Sequence, residues 1–179
     1  MLTAAESLLL VIDIQERLLP VMQDGARVVR NAGILLQASA RLEIPVLVTE
    51  QYPQGLGPTV PEIRALAGHA ATLPKMDFSA CGDAAIRSHI ADSRRRQIVV
   101  AGIEAHVCVL QTALGLAADG HDVSVVTDAI SSRSADSVAV AQQRMASAGI
   151  TLVTAEMCVF EWLGTAAHPE FRALSRLIR

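Results

Sequence analysis

A chain of 179 residues with 51% hydrophobic and 3% aromatic side chains is sized for one domain, residues 1–179, built on an aliphatic core. A net charge of −3 and a pI near 5.9 argue against nucleic acid or an anionic membrane as a partner. No apolar run approaches the ~18 residues that span a bilayer, so the mean hydropathy of +0.38 reflects core packing.

The opening stretch MLTAAESLLLVIDIQERLL has neither a basic leader nor a small-residue cleavage site, and its apolar run stops at Asp13. Leu8 to Ile12 therefore reads as a buried strand. Ala26 to Leu42 has helical spacing, with Val28, Val29, Ala32, Leu35, Leu36 and Ser39 as its inward stripe. Pro45 to Thr49 reads as a second strand ending at Glu50, followed by the Gly/Pro-rich loop QYPQGLGPTVPE. Ala71 to Pro74 is a shorter strand candidate leading to Lys75. Asp83 to Ser93 reads as helix, Gln97 to Ala101 as strand, and Cys108 to Asp119 as a helix closed by Gly120. Asp122 to Val126 is another strand, Ala135 to Ala148 a helix closed by Gly149, Ile150 to Val153 the last strand, and Ala155 to Leu163 a helix. The tail AAHPEFRALSRLIR is expected to be a terminal helix packing on the body or on a second subunit.

Near-continuous apolar strands, each followed by a helix, specify an α/β protein whose parallel sheet is covered on both faces. The right-handed crossover rule makes it a doubly wound three-layer α/β/α sandwich. Ligands of such sheets bind beyond the carboxyl ends of the strands. On that rim the sequence places Asp13, Glu50, Lys75, the segment Gly102 to Cys108, Asp128, and Ser131, Ser132 and Arg133.

An acid, a cation and a thiol on one rim suit acyl transfer to Cys followed by hydrolysis. The reactive species is the thiolate, so the thiol pKa is expected to be depressed by the helix start and by Lys75. Asp13 is the candidate proton acceptor, and free backbone N–H groups at the helix start are candidate oxyanion donors. Each residue also has a plainer reading. Cysteine is usually a buried, inert core residue, and Cys81 and Cys158 are read that way. Asp13 could cap a helix, Lys75 could be a surface lysine, and Glu50 a solvated loop charge. His106 is kept only as a reserve base. Arg133 could hold a substrate carboxylate or be a solvated loop residue, and Asp128 reads as a turn or cap residue. The three cysteines lack framework or zinc spacing, which makes the cytoplasm the expected compartment.

Three segments, LLLVIDIQERL, LPKMDFSAC and VVAGIEAHVCVLQTALGLAADGHDVSVVTDA, resemble the isochorismatase-like cysteine hydrolase superfamily. The resemblance spans nearly the whole chain, and GIEAHVCV is its most specific part. TEQYPQGLG and GIEAHVC are similar to the subgroup called isochorismatase domain-containing proteins. The resemblance implies a Rossmann-like, six-stranded parallel sheet in the order 3-2-1-4-5-6 and homo-oligomers, a dimer or a multiple of one. It implies Asp13, Lys75 and Cys108 as catalytic residues and a cis peptide between Ile103 and Glu104. It also implies an oxyanion hole from the backbone N–H groups of Glu104 and Cys108. Metal-dependent nicotinamidases carry Asp-x-His and further histidines after the second strand, where this chain reads Glu50-Gln51-Tyr52-Pro53. No cofactor and no metal are therefore expected. The family's more usual Thr is Ala105 here, and the presence of Cys108 favours C–N over vinyl-ether cleavage.

The resulting expectation is a cysteine hydrolase for a small amide or related acyl compound. Leu19, Glu50, Gln51, Tyr52, Phe78 and Arg133 are candidate pocket residues. The rivals are a catalytically idle scaffold, a redox-sensing thiol protein and a nucleotide-binding module, the last disfavoured because DIQERLLP has no Gly-rich turn.

Overall fold

A computed structural model describes residues 1–178. Six strands, β1 (Ser7–Ile12), β2 (Val46–Gln51), β3 (Ala71–Lys75), β4 (Gln97–Ile103), β5 (Asp122–Ser131) and β6 (Thr151–Val153), form one sheet in the order β3-β2-β1-β4-β5-β6. Every neighbouring pair is parallel. Among the described residues the α-helices are α1 (Gly25–Arg41), α2 (Pro53–Leu56), α3 (Pro61–Ala67), α4 (Ala84–Asp92), α5 (Leu110–Ala118), α6 (Ala135–Ser147), α7 (Ala155–Leu163) and α8 (Phe171–Leu174).

Side chains along a strand point alternately to opposite faces, so every apolar residue of β1 is assigned to one of two cores. Leu9 and Val11 pack with Val28, Leu35, Ile63 and Trp162 of α1, α3 and α7. Leu8, Leu10 and Ile12 pack with Ile86, Ile90, Ala113 and Met145 of α4, α5 and α6. Burial on both faces explains why β1 contains only apolar residues after Ser7. Side-chain caps start the helices: Asp24 accepts from Arg27 N, Asp83 from Ala85 and Ile86 N, Ser134 from Ser137 N, and Thr154 from Met157 N.

Several boundaries differ from the sequence reading. The loop after β2 contains α2 and α3, each begun by a proline at its first helical position. β2 runs through Glu50 to Gln51, so Glu50 lies within the strand. The helix expected to begin at Cys108 opens with a π-turn, Ala105–Val109, before α5. β5 extends to Ser131 because it bulges: Val100 pairs with Val125 but Gly102 with Ile130. Among the described residues the tail is helical over α8, and Leu174, Phe171, Leu177 and Ile178 pack it against the α1–α7 core. Among the described residues no helix is long and apolar enough to cross a membrane.

Candidate active site

The chain winds outward from β1 through β2 to β3, then returns to the other side of β1 for β4, β5 and β6. The winding therefore reverses between β1 and β4, and in such sheets ligands bind beyond the strand ends at the reversal. β1 and β4 approach closely at this end. A side chain on Gly102 would place its Cβ 2.0 Å from the Ile12 carbonyl oxygen, and Gly102 has φ +124°.

Asp13 ends β1 in the left-handed region, at φ 53°, and is fully buried. Its Oδ1 accepts from Thr49 Oγ1 at 2.7 Å and its Oδ2 from Lys75 Nζ at 2.7 Å. Lys75 ends β3 and is also buried. Its ammonium further donates to Gln51 Oε1 at 2.6 Å, Phe78 O at 3.1 Å and Asp77 O at 3.3 Å. An ammonium has three N–H groups, so its donors are all engaged. Gln51 is oriented in turn: its Nε2 donates to Met76 O at 2.8 Å, and its backbone N–H donates to Gln15 Oε1 at 2.7 Å. Gln15 Nε2 donates to the carbonyls of Gln51 at 2.9 Å and Gly57 at 2.6 Å.

Cys108 lies on the π-turn after β4, 5% exposed. Its thiol pKa is pushed up to about 12, first by burial and then by the Asp13 charge, which Lys75 only partly offsets. This overturns the expected depression. The first reason is burial, which disfavours the thiolate; the Lys75 cation favours it, but by less than burial and the Asp13 carboxylate together oppose it. The available route is transfer of the proton to Asp13 as the sulfur attacks. The peptide between Ile103 and Glu104 is cis. Burial also raises the thiol pKa values of Cys81 and Cys158, and Cys158 is fully enclosed.

The remaining candidates divide. Gln51 belongs to the cluster, through Lys75. Glu50 Oε1 accepts from the Thr59 N–H at 2.7 Å and the Thr59 hydroxyl at 2.8 Å, so it anchors the loop after β2. Tyr52 and Phe78 are exposed around the Lys75 strand end, where Tyr52 N–H donates to Lys75 O at 2.9 Å. Leu19 packs over Gly25 and against the α1 core. Arg133 Nε lies 3.0 Å from Glu104 Oε2. His106 Nδ1 meets Ser132 Oγ at 2.9 Å, and Ser131 Oγ donates to Gln23 O. Asp128 is a cap: Oδ1 accepts from Ala155 N at 2.9 Å, and its carbonyl accepts from Asn31 Nδ2 at 2.7 Å. Thr49 and Gln15 were missed by the sequence reading. Neither had a signal: Thr49 is one polar residue closing an apolar run, and the left-handed backbone at Asp13 breaks the alternation that would relate Gln15 to it. Among the described residues no three His, Cys, Asp or Glu side chains are grouped to hold a metal.

The isochorismatase domain model matches residues 7–157 of the chain. Isochorismatase domain-containing protein 2 of Pongo abelii is 41% identical over 175 residues, covering 97% of this chain and 83% of the relative. Among solved structures, the MAR1 ribonuclease of Caenorhabditis elegans is 35% identical with a TM-score of 0.94, covering 99% of this chain and 91% of that one. The Escherichia coli YcaC product, described as an octameric hydrolase of unknown specificity, is 25% identical with a TM-score of 0.89, covering 98% and 94%.

Proposed function

The chain belongs to the isochorismatase domain family, and from that premise we propose that it is a cysteine hydrolase cleaving a C–N bond of a small amide or related acyl compound. The observation that carries the proposal is the buried Asp13–Lys75 pair, Oδ2 to Nζ 2.7 Å, whose two charges both act on the Cys108 thiol. Cys108 Sγ attacks the substrate carbonyl while its proton passes to Asp13. The oxyanion is held by the N–H groups of Glu104 and Cys108, as the family resemblance implies. Lys75 keeps the net charge of the site low as Asp13 becomes neutral and the oxyanion forms. The intermediate collapses, the C–N bond breaks, and Asp13 returns its proton to the leaving amine. Water then attacks the thioester, giving its proton to Asp13. The carboxylic acid leaves and the thiol is restored.

The family supports hydrolysis in general, whereas the acyl-enzyme reading rests on the site. The idle-scaffold reading is disfavoured because all three groups are present and mutually engaged. Redox sensing is disfavoured by burial and by a thiol held protonated, since thiolate character and exposure govern oxidation. Ribonuclease activity, the name of one relative, would call for cations able to hold phosphate. Here Lys75 and Arg133 are both paired with carboxylates. We further propose a reducing, cytoplasmic setting, since the three thiols are free, no metal or other cofactor, and a homo-oligomer in dimers or multiples of them.

The deciding experiment is amine release from a panel of small amides, with intact-mass detection of the acyl-enzyme. Turnover and a mass adduct on Cys108 are expected in the wild type, with a trapped adduct or no reaction in Asp13→Asn and neither in Cys108→Ala. Undiminished turnover in Cys108→Ala would refute the mechanism.

A further inference from the structure

The segment after β3 bonds to the Lys75 side of the site and to the helix that follows Cys108. Its first carbonyls face inward: Met76 O accepts from Gln51 Nε2 at 2.8 Å, and Asp77 O and Phe78 O accept from Lys75 Nζ at 3.3 and 3.1 Å. Its next residues are seated on α5. Ala80 N–H donates to Thr112 Oγ1 at 2.9 Å, with both residues fully buried. Ser79 Oγ donates to Gln111 O at 3.4 Å, and Cys81 Sγ to Thr112 O at 3.7 Å. A side chain on Gly115 would place its Cβ 2.9 Å from Cys81 Sγ, so the segment lies directly against the helix. α5 continues the π-turn that carries Cys108, and Thr112 stands one helical turn beyond the thiol.

We infer that Thr112 is a positioning residue: its hydroxyl, by holding the Ala80 N–H, fixes the carbonyls of residues 77 and 78 and thereby the place of the Lys75 ammonium beside Cys108. The inference rests on the reading of Asp13, Lys75 and Cys108 as the reacting groups.

A lysine ammonium is a point charge on a flexible stem, and its acceptors decide where it stands. Asp13 Oδ2 and Gln51 Oε1 belong to the ends of β1 and β2, neighbours in the sheet. The carbonyls of Asp77 and Phe78 lie outside the sheet, so their position depends on what anchors their segment. That segment is tightly folded. Gly82 N–H donates to Ser79 O at 3.0 Å, and a Cβ on Gly82 would lie 2.7 Å from that of Asp77. A displacement at Ala80 is therefore passed on to Asp77 and Phe78. Without the Thr112 hydroxyl the Ala80 N–H would be buried and unpaired, and the segment would have to move to recover a partner. The other buried residues of α5, Leu110, Ala113 and Leu116, are apolar, so Thr112 is the buried polar side chain of this helix. The Lys75 charge acts on the Cys108 thiol, so a shift of the ammonium is felt at the sulfur.

Lys75 is the only lysine of the chain, so protein grown on nitrogen-labelled lysine gives a single Nζ resonance. The measurement is the hydrogen-exchange rate of that ammonium, together with the iodoacetamide rate at Cys108, located by peptide mass, at one pH. Thr112→Val keeps the shape of the side chain and loses the acceptor. It is expected to speed ammonium exchange by about tenfold, the scale of one hydrogen bond, and to slow alkylation by about threefold, half a unit in thiol ionisation. Thr112→Ser keeps the hydroxyl and should leave both near wild type. Thr112→Ala, set against Thr112→Ser, repeats the comparison in a roomier core if the valine variant does not fold. In a Lys75→Met background Thr112→Val should no longer change the alkylation rate, since its effect passes through the ammonium. An ammonium exchange rate unmoved by loss of the hydroxyl, or an alkylation change of the same size without Lys75, overturns the positioning role while leaving the nucleophile in place. Failure of iodoacetamide to label Cys108 in the folded wild type overturns the nucleophile and the positioning role together.

Discussion

Two ion pairs formed by residues at or beyond the strand ends have nearly the same separation and opposite settings. Lys75 and Asp13 meet at 2.7 Å with both side chains inaccessible to water, whereas Arg133 and Glu104 meet at 3.0 Å with the arginine side chain 64% exposed. A buried pair is held by its surroundings: Thr49, Gln51 and the carbonyls of residues 77 and 78 complete the bonding of both charges. An exposed pair loses most of its strength to solvent screening. The inner pair is therefore suited to set the ionisation of Cys108, whereas the outer pair contributes little to the fold.

The largest expected effect tests that contrast directly. Asp13→Ala leaves the Lys75 ammonium buried without its counter-charge, a lesion of about 3–5 kcal/mol. Arg133→Ala should cost less than about 1 kcal/mol. Urea unfolding of the two variants gives the comparison, and equal losses would break it. The joint change Asp13→Leu with Lys75→Met removes both charges and should recover most of the loss. It should not recover turnover.

Asp13→Asn sharpens the comparison at the thiol. The raised thiol pKa, about 12, comes first from burial and then from the Asp13 charge. Replacing the carboxylate by an amide leaves Lys75 unopposed, so the alkylation midpoint should move down in pH while turnover is lost. Arg133→Gln should leave the midpoint unchanged, since neither Arg133 nor Glu104 is among the charges acting on the thiol. Iodoacetamide rates across pH read both variants, and a midpoint unmoved by Asp13→Asn would exclude Asp13 as the thiol's proton acceptor.

The inner pair was more legible in the sequence than the outer one, and the reason is local. An apolar strand halted by one charged residue marks a charge at a strand end, and both Asp13 and Lys75 stand there. The segment after β4 showed the thiol for the same reason. Glu104–Arg133 joins residues 29 apart through the β5 bulge. That bulge is held by partners on other elements, Asn31 and Ala155. Thr127 and Asp128 interrupt the apolar run there, so sequence periodicity stops the strand at Val126. Glu50 was placed beyond a strand that in fact includes it. Alternation then turns Glu50 towards Thr59 and Gln51 towards Lys75, giving adjacent residues unrelated roles. The direction of the thiol pKa depends on burial and on the balance of the Asp13 and Lys75 charges, and neither is visible in a residue type.

Burial of the thiols also gives stability an alkaline limit. A thiol whose folded pKa is raised keeps its proton after the unfolded chain has lost it. Its stabilising contribution is whole below the unfolded value of about 8.5 and declines as pH rises from there toward about 12 for Cys108. At pH 10 the Cys108 thiol should cost about 2 kcal/mol relative to pH 7. Cys108→Ala should therefore lose less stability than the wild type between pH 7 and pH 10 in urea titrations. An identical decline would mean that Cys108 ionises as readily in the folded state as in the unfolded one.

The smallest expected effect concerns a buried polar group with nothing to pair with. Ser39 lies on the inward stripe of α1, fully buried, and its hydroxyl has no hydrogen-bond partner. The Asp13–Lys75 pair shows the condition under which polarity is tolerated inside this fold, namely that the bonding is complete. The Ser39 hydroxyl fails that condition and bears a desolvation cost without return. Its backbone carbonyl, which accepts from Ile44 N–H at 2.9 Å, is unaffected by a side-chain change. Alanine removes one oxygen, leaves little void and has the higher helix propensity. Ser39→Ala is expected to stabilise by about 1 kcal/mol, or roughly 2–4 °C in melting temperature for a chain of this size. A loss of stability would mean that the hydroxyl bonds within α1, and that complete pairing holds throughout both cores rather than only at the site.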